Sequence, residues 1–331
     1  MAEPADPVTA VIANPTAGRT DDRTRWDRLE TEIRRELAGA VIRTTRRAGD
    51  ERTIVTELLA EGIDRLLVAG GDGTLHQVVD AVLEARPRAV DRPVLGTLPL
   101  GSGNDFARGL GLPLDPHAAL RALASARAIP VDVGRLTFVD EEPVRSIHWL
   151  NQSYLGFGAD VVRRVAAGTR PADQRAYTRA VLREIGRARP HRYTLVGDRD
   201  APREIEAMNM LVANGRYSGS GMLSSPRADP TDGQLDLLVV GPVGRLRLLS
   251  GLRRFRSGTH LTLPEVRTWR VDRITIRSDD PASLVEADGD IVGRLPVRYE
   301  VLPESLRFLV PGGAGEQDHL RTASAGTRPP P

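Results

Sequence analysis

Five residues in the first third of the chain, Gly70-Gly71-Asp72-Gly73-Thr74, have the composition of a phosphate cradle. Glycine takes backbone angles closed to other residues and lets a ligand approach the main chain. The first amides of a following helix are unpaired and partly positive, so they attract phosphate. Asp72 is the odd residue, because a carboxylate beside a phosphate is repelled unless a cation, a hydroxyl or a ribose donor stands between them. The loop therefore predicts a phosphorylated ligand with Mg²⁺, against the plainer reading of an ordinary tight turn from strand to helix. It is not a Walker loop, which needs Gly-Lys-Ser/Thr. The chain contains no lysine at all, which also excludes a lysine Schiff base or a catalytic lysine.

Three further stretches carry chemistry. Asn14-Pro15-Thr16-Ala17-Gly18 is a polar turn. Gly101-Ser102-Gly103-Asn104-Asp105-Phe106 begins like a dinucleotide fingerprint, but Phe106 stands where the third glycine belongs. Ser102 lacks the Gly-x-Ser-x-Gly context of a hydrolase elbow, and Asn104 or Asp105 suits the cap of the next helix. Asp288-Gly289-Asp290 is either a plain Asp-Gly turn or a turn that projects two carboxylates. Two such groups close together raise one pKa by like-charge repulsion, which favours a proton acceptor. His76 either meets a nucleotide or is structural, and the other five histidines show no metal-ligand spacing.

The elements that must hold these residues follow from periodicity. Apolar runs at 8–13, 41–45, 66–69 and 94–98 read as strands. Helical patterns lie between them, one capped by Thr20 or Asp21 and running to about Leu37, one at 50–60, and one with Leu75, Val78, Val79, Val82 and Leu83 on a single face. Asp115-Pro116 opens another helix as cap and first residue. Strand and helix in alternation predict a parallel, doubly wound sheet with ligands at the carboxyl ends of its strands. The loops 14–18, 70–74 and 101–105 all fall there. After about Arg135, short alternating runs at 144–150, 192–197, 205–213, 235–240, 271–277, 283–287 and 297–301 predict a largely antiparallel β domain. Its helical inserts are expected at 172–187 and 244–256.

With 331 residues the chain is long enough for two domains. It has no cysteine, so disulfides, thiolate zinc sites and thiol nucleophiles are excluded. A formal net charge of +2 does not suggest a nucleic-acid binder. Residues 1–10 lack the design of a signal peptide and no apolar run reaches membrane-spanning length, which predicts a cytoplasmic protein whose membrane contact is peripheral, at the inner face. Arg175, Arg179, Arg183 and Arg187 recur every four residues, as a solvated face or as a contact for anionic lipid. Residues 312–331 read as a disordered tail.

In order along the chain, Asn14-Pro15-Thr16-Ala17-Gly18, Gly70-Gly71-Asp72-Gly73-Thr74, Leu98-Pro99-Leu100-Gly101-Ser102-Gly103-Asn104-Asp105-Phe106-Ala107, Asn214-Gly215 through Gly219-Ser220-Gly221-Met222, Pro226 through Asp232-Gly233-Gln234-Leu235-Asp236, and Asp288-Gly289-Asp290 resemble the bacterial diacylglycerol kinase-like lipid kinases. The resemblance covers residues 8 to about 310. It implies an N-terminal doubly wound domain like that of NAD kinases and phosphofructokinases (1–135, with a returning segment 302–311), and a C-terminal antiparallel β-sandwich domain (136–301) for the substrate, with the active site in the cleft between them. It implies ATP against Asn14, Thr45, Gly70, Gly71, Asp72, Gly73, Thr74, Leu75, His76, Gly101, Ser102 and Asn104. A structural Mg²⁺ is implied at Asp229, Asp232 and Gln234, partly through backbone oxygens. Asp290 takes the position of the general base, with Asp288 as its partner or a metal-water contact, and Asp72 is the third catalytic candidate, positioning Mg·ATP. Two positions depart from the family: His76-Gln77 replaces Asn-Glu, and Asp290 replaces a glutamate with one methylene more. The expected reaction is transfer of the γ-phosphate of ATP to a lipid hydroxyl, most simply that of diacylglycerol. A kinase of a soluble acceptor such as NAD or a sugar, and a nucleotide-binding regulator without catalysis, are the alternatives. Oligomeric state is left open, a homodimer included.

Overall fold

The structure, a computed structural model, describes residues 7–18, 23–167, 174–197 and 201–312. The Thr20 or Asp21 cap and the tail beyond residue 312 lie outside them. The chain divides into two compact units, one formed by residues up to 131 with the segment from 304 on, the other by residues 132–303.

The first unit alternates β1 (Thr9–Ala13), α1 (Arg23–Glu36), β2 (Val41–Thr44), α2 (Asp50–Ala60), β3 (Arg65–Gly70), α3 (Asp72–Ala85), β4 (Val94–Pro99), α4 (Asp105–Gly109) and α5 (Pro116–Ala122), and leads into β5 (Arg127–Phe138). The four strands pair in parallel in the order β2-β1-β3-β4. β3 is buried throughout Leu66–Ala69, as an apolar run without alternation demands in a sheet covered on both faces. Trp26, Leu29 and Ile33 of α1 and Leu120 of α5 pack on Val11, Leu67 and Leu98. The helices α2 and α3 pack on each other and on β1 and β3. A late strand adds to this sheet: Phe308 pairs in parallel with Leu95 and sets its ring edge-on to Phe106 at 5.4 Å.

The second unit contains β6 (Arg145–Trp149), β7 (Gln152–Gly156), α6 (Phe157–Ala166), α7 (Gln174–Ile185), β8 (His191–Val196), β9 (Arg203–Ala207), β10 (Asn209–Ala213), β11 (Leu235–Val240), α8 (Arg245–Ser257), β12 (Val266–Val271), β13 (Arg273–Ser278), β14 (Leu284–Ala287), β15 (Asp290–Arg294) and the start of β16 (Val297–Val310). Six strands form an antiparallel sheet, β12-β11-β10-β7-β14-β15. The second layer contains β13 paired antiparallel with β16 and β8, then β9 on β8, with β5 and β6 as a further hairpin. Leu155, Met210, Val212 and Leu237 from the first layer share one core with Leu136, Trp149, Tyr193, Ile276 and Tyr299 from the second. The unit is a β-sandwich, and the whole chain has the α/β plus antiparallel β architecture that its pattern predicts.

The apolar run 205–213 is two strands in different layers. The chain crosses between them at Met208, whose amide donates to the Val240 carbonyl at 2.8 Å. The run 271–277 breaks in the same way at Asp272, between β12 and β13. An apolar alternation that continues through a crossover hides the crossover, because both layers bury their inner side chains in the same core.

The hairpin of β5 and β6 sets Gly134 directly opposite Trp149, and a Cβ on Gly134 would lie 2.1 Å from the indole. Gly134→Ala is therefore expected to push the buried Trp149 off its site and cost about 1–3 kcal/mol, read as a lower urea midpoint with an unchanged slope.

Candidate active site

In the first unit every loop at the carboxyl end of the sheet touches a neighbour. The amides of Leu100 and Gly101 both donate to the Gly70 carbonyl, at 2.8 and 3.3 Å. A Cβ on Gly101 would lie 2.5 Å from the Cα of Gly71, so the two glycine loops meet backbone to backbone. Gly18, with φ +87°, lies so close that a Cβ would sit 2.6 Å from the Leu100 carbonyl oxygen. Asn14 Nδ2 donates to the Thr74 hydroxyl at 3.1 Å, and Asn14 Oδ1 accepts from the amide and hydroxyl of Thr16. Thr45 joins them through its amide, which donates to the Ala13 carbonyl at 2.8 Å.

Gly71 is the N-cap of α3, and a glycine has no side chain to satisfy the first amides of a helix. By contrast, Asp115 caps α5 with a carboxylate that accepts from the Ala118 amide at 2.8 Å. The start of α3 thus carries no side-chain cap, beside Asn14, Thr45, Gly101 and the exposed Ser102. Asn104 is held in the left-handed region at φ 51° by a two-way bond with Gly101, its Oδ1 accepting from the Gly101 amide and its Nδ2 donating to the Gly101 carbonyl. Asp72 accepts from the Phe106 amide at 3.3 Å, so its carboxylate spans the two loops. Leu75 and His76, in the first turns of α3, have buried side chains.

In the second unit, Asp288 and Gly289 form the two-residue turn between β14 and β15, with φ +46° and +99°. Positive φ at both central residues is the hairpin turn that Asp-Gly favours. The Asp288 carboxylate accepts three backbone amides, from Leu150 at 2.7 Å, Asn151 at 2.9 Å and Gln152 at 3.0 Å. Asp290, two residues on, is exposed. The same region is wired to the Asn214-Gly215 segment. Gln152 Nε2 donates to the Gly215 carbonyl at 2.9 Å, and Asn214 Nδ2 donates to the carbonyls of Leu150 and Asp132.

Comparison with known proteins bears on this arrangement. Residues 9–136 match the diacylglycerol kinase catalytic domain, and residues 151–310 match the YegS C-terminal NAD kinase β-sandwich-like domain. A diacylglycerol kinase of Mycobacterium tuberculosis is 32% identical over 80% of this chain and 82% of its own. A protein of Pseudomonas aeruginosa named probable lipid kinase YegS-like is 33% identical over 93% of this chain and 96% of its own. This chain belongs to the diacylglycerol kinase-like lipid kinase family. The fold agrees: a crystal structure of a diacylglycerol kinase from Bacillus anthracis superposes with a TM-score of 0.68 at 21% identity, over 91% of this chain and 96% of that one. Yeast NADH kinase shares the fold more distantly, with a TM-score of 0.53 at 13% identity over 92% of this chain and 83% of that one.

The kinase also gathers acids around the segment 229–236. Asp229 Oδ1 accepts from the amide and hydroxyl of Thr231, Asp232 Oδ1 accepts from the Gln234 amide, and Asp132 Oδ2 accepts from the Gly233 amide at 2.7 Å. Arg270 pairs with Asp232. Even so, burial with its neighbours Asp229 and Asp132 holds the Asp232 carboxyl above its ordinary value. Burial pushes Asp236 up to about 6, with Asp232 and Asp229 adding to it. Among the described residues, no three His, Cys, Asp or Glu side chains converge as a ready metal centre. A crowd of oxygen donors, against which Arg270 and Arg227 stand, is of the donor type that suits Mg²⁺.

One carboxyl is not visible as special in the sequence. Glu286 is the fully buried β14 residue just before the turn, and its two oxygens accept from the Tyr154 amide at 2.9 Å and the Gly289 amide at 2.5 Å. Burial pushes it up to about 8; Asp288 and Asp290 push the same way, and the two amides oppose. Alternation alone puts Glu286 on a strand, and nothing in it distinguishes a buried acid from a surface one. A raised carboxyl means that the folded kinase holds a proton the unfolded chain has released. The stability it lends is present below the ordinary glutamate range and is lost as pH rises towards 8. Stability of the native protein should therefore fall between pH 4.5 and 8. Glu286→Gln leaves one amide without an acceptor, which costs about 1–3 kcal/mol at pH 5. Its deficit against the native protein should shrink by pH 8, in paired denaturant titrations.

Proposed function

We propose that this lipid kinase transfers the γ-phosphoryl group of ATP to the hydroxyl of diacylglycerol or a closely similar lipid. The observation that carries the acceptor is an apolar cavity of about 250 Å³ inside the second unit, lined by Phe157, Val161, Val181, Leu248, Leu252 and Phe255 among others. That is about the bulk volume of eight water molecules, enough for a stretch of alkyl chain. A sugar or dinucleotide acceptor needs hydrogen-bonding walls, whereas this lining suits hydrocarbon. The names of the curated relatives support the same acceptor.

The donor reading rests on the first unit. Phosphates of ATP lie against the bare amides at the start of α3, with Asn14, Thr45, Gly101, Ser102 and Asn104 around them. Asp72, tied to Phe106, keeps the two glycine loops in register and faces the nucleotide through Mg²⁺ or a hydroxyl. A magnesium ion, when bound, neutralises phosphate charge; a structural one would be held by Asp229, Asp232 and the Gln234 region, relieving the acid crowd there.

In the transfer, the lipid oxygen forms a bond to the γ-phosphorus while the bond from that phosphorus to the β–γ bridging oxygen breaks, and ADP leaves. The hydroxyl proton passes to Asp290, the family's base position and the exposed carboxylate of the hairpin. Asp288 holds the turn through the Leu150, Asn151 and Gln152 amides, which makes it the anchor of Asp290 and not an alternative base.

Incubation with γ-labelled ATP tests the reaction: label is expected in an organic-extractable lipid when diacylglycerol is supplied. Label in a water-soluble product alone, or in nothing, overturns the reading. The two carboxylates separate by a second measurement. Asp290→Asn should lower turnover by about 10²–10⁴ with an unchanged melting temperature, and Asp290→Glu should retain activity. Asp288→Asn sets an amide group against backbone donors and should lose about 1–3 kcal/mol of stability. A fully active Asp290→Asn protein would place the base elsewhere.

A further inference from the structure

The described residues expose only three leucines, and all three lie on α7 and α8, two of the three helices that wall the apolar cavity. Leu182 of α7 is 54% exposed, and Leu246 and Leu249 of α8 are 84% and 42% exposed. The inner side of α8 presents Leu248, Leu252 and Phe255 to the cavity, and α7 contributes Val181. A helix that buries one apolar stripe has no folding reason to place leucines on its opposite side, where each costs hydration of apolar surface.

The charged side chains of α8 are of one sign, and the acids near these leucines are each held by an arginine. The helix α8 carries Arg245, Arg247, Arg253, Arg254 and Arg256 and no acid. Arg247 pairs with Glu265 at 2.7 Å. Among the described residues, Arg183, Arg187, Arg245, Arg253 and Arg256 have no carboxylate partner, whereas the buried Glu184 of α7 is taken by Arg164. Arg254 donates to the Thr262 hydroxyl at 3.5 Å and helps to lower the Glu265 carboxyl, which Arg247 holds directly. Arg175 lies in the part of α7 whose side chains are outside the described residues, so the stripe read from sequence is represented here by Arg179, Arg183 and Arg187.

We infer that the outward face of α7 and α8 is a docking surface for an anionic lipid bilayer, with the leucines entering the interface and the arginines meeting phosphate headgroups. Leucine among unpaired arginine on a helix face is the composition that binds an anionic interface. A soluble anion would use the arginines but leave the leucines in water. The surface rests on the lipid-kinase reading only in its purpose: docking sets the cavity wall against the phase in which the acceptor is dissolved.

Cosedimentation with vesicles tests it. The native protein is expected to bind vesicles of phosphatidylcholine with phosphatidylglycerol, to leave those of phosphatidylcholine alone, and to release as salt rises. Neither Leu246 and Leu249 nor Arg245 and Arg254 line the cavity, so their variants probe the surface alone. Arg245→Gln with Arg254→Gln should weaken vesicle binding about 30-fold, each basic residue contributing roughly a factor of five. Leu246→Ser with Leu249→Ser should also lose binding, while both pairs phosphorylate a short-chain diacylglycerol dispersed in solution as the native protein does. Equal binding to both vesicle types, no binding, or variants that bind like the native protein would overturn the proposal. So would a leucine variant that turns a dimer into a monomer and still binds vesicles, which would give the face to a second copy of the chain. Vesicle binding needs no turnover, so loss of the kinase reading would leave this result standing, and the reverse.

Discussion

The contact between Gly71 and Gly101 is the constraint on which the nucleotide end of the first unit depends. β3 and β4 are paired as far as Gly70 and Pro99, so the loops that leave them start about one strand spacing apart. Those loops either splay or press together, and the Gly70 carbonyl draws the second onto the first by accepting from Leu100 and Gly101. Only glycine at both positions tolerates that approach, since a Cβ on Gly71 or Gly101 would lie 3.0 or 2.5 Å from the other's Cα. The same contact accounts for the bare helix start: a Ser, Thr or Asp at position 71 would cap α3 and close the loops' approach at once.

The second unit handles charge in the opposite manner. It takes carboxylates in and spends backbone amides on them, three on Asp288 and two on Glu286. Amide donors stabilise a carboxylate, whereas burial destabilises it. For Glu286 burial wins and the carboxyl sits at about 8. These bonds tie the hairpin turn to the strand β7 and its approach, so the exposed Asp290 hangs from a rigid support. In the role we propose for Asp290 such fixing counts, because a positioned group avoids the entropy of finding its place.

Much of this was legible in the residues. The parallel strands and the three loops at their ends follow from apolar runs ending in glycine or polar turns, and the loops do meet. The hairpin at Asp288-Gly289 follows from residue types that accept positive φ. Less legible was β7, where Gln152-Ser153-Tyr154-Leu155-Gly156 has no β-branched residue, although the strand is central and pairs with β10 and β14. Its strand state comes from the neighbours on either side, and tertiary pairing overrides weak propensity. The helix α6 was hidden for a related reason: it is short, interrupted by glycine and charged, and Val161 buries against α7 and Met208, which lie far along the sequence. The apolar cavity was not legible at all, because its walls are individually ordinary core residues and only their arrangement leaves a space.

Recognition is divided accordingly. The fold is shared with a kinase of NADH, so the fold by itself does not identify an acceptor. The loop groups of the first unit are largely backbone amides, which bind phosphate whatever is attached to it. Discrimination between a lipid and a soluble hydroxyl must come from side chains that a polar acceptor would leave unpaired or a lipid would satisfy. In the function we propose, the leucine, valine and phenylalanine side chains between α6, α7 and α8 would meet that requirement. The cations that share the lining of this cavity are all arginine. Guanidinium is more weakly hydrated than ammonium and tolerates an apolar border, so Arg247, Arg253 and Arg256 line the same space as Leu248 and Phe255 without closing it to an alkyl chain.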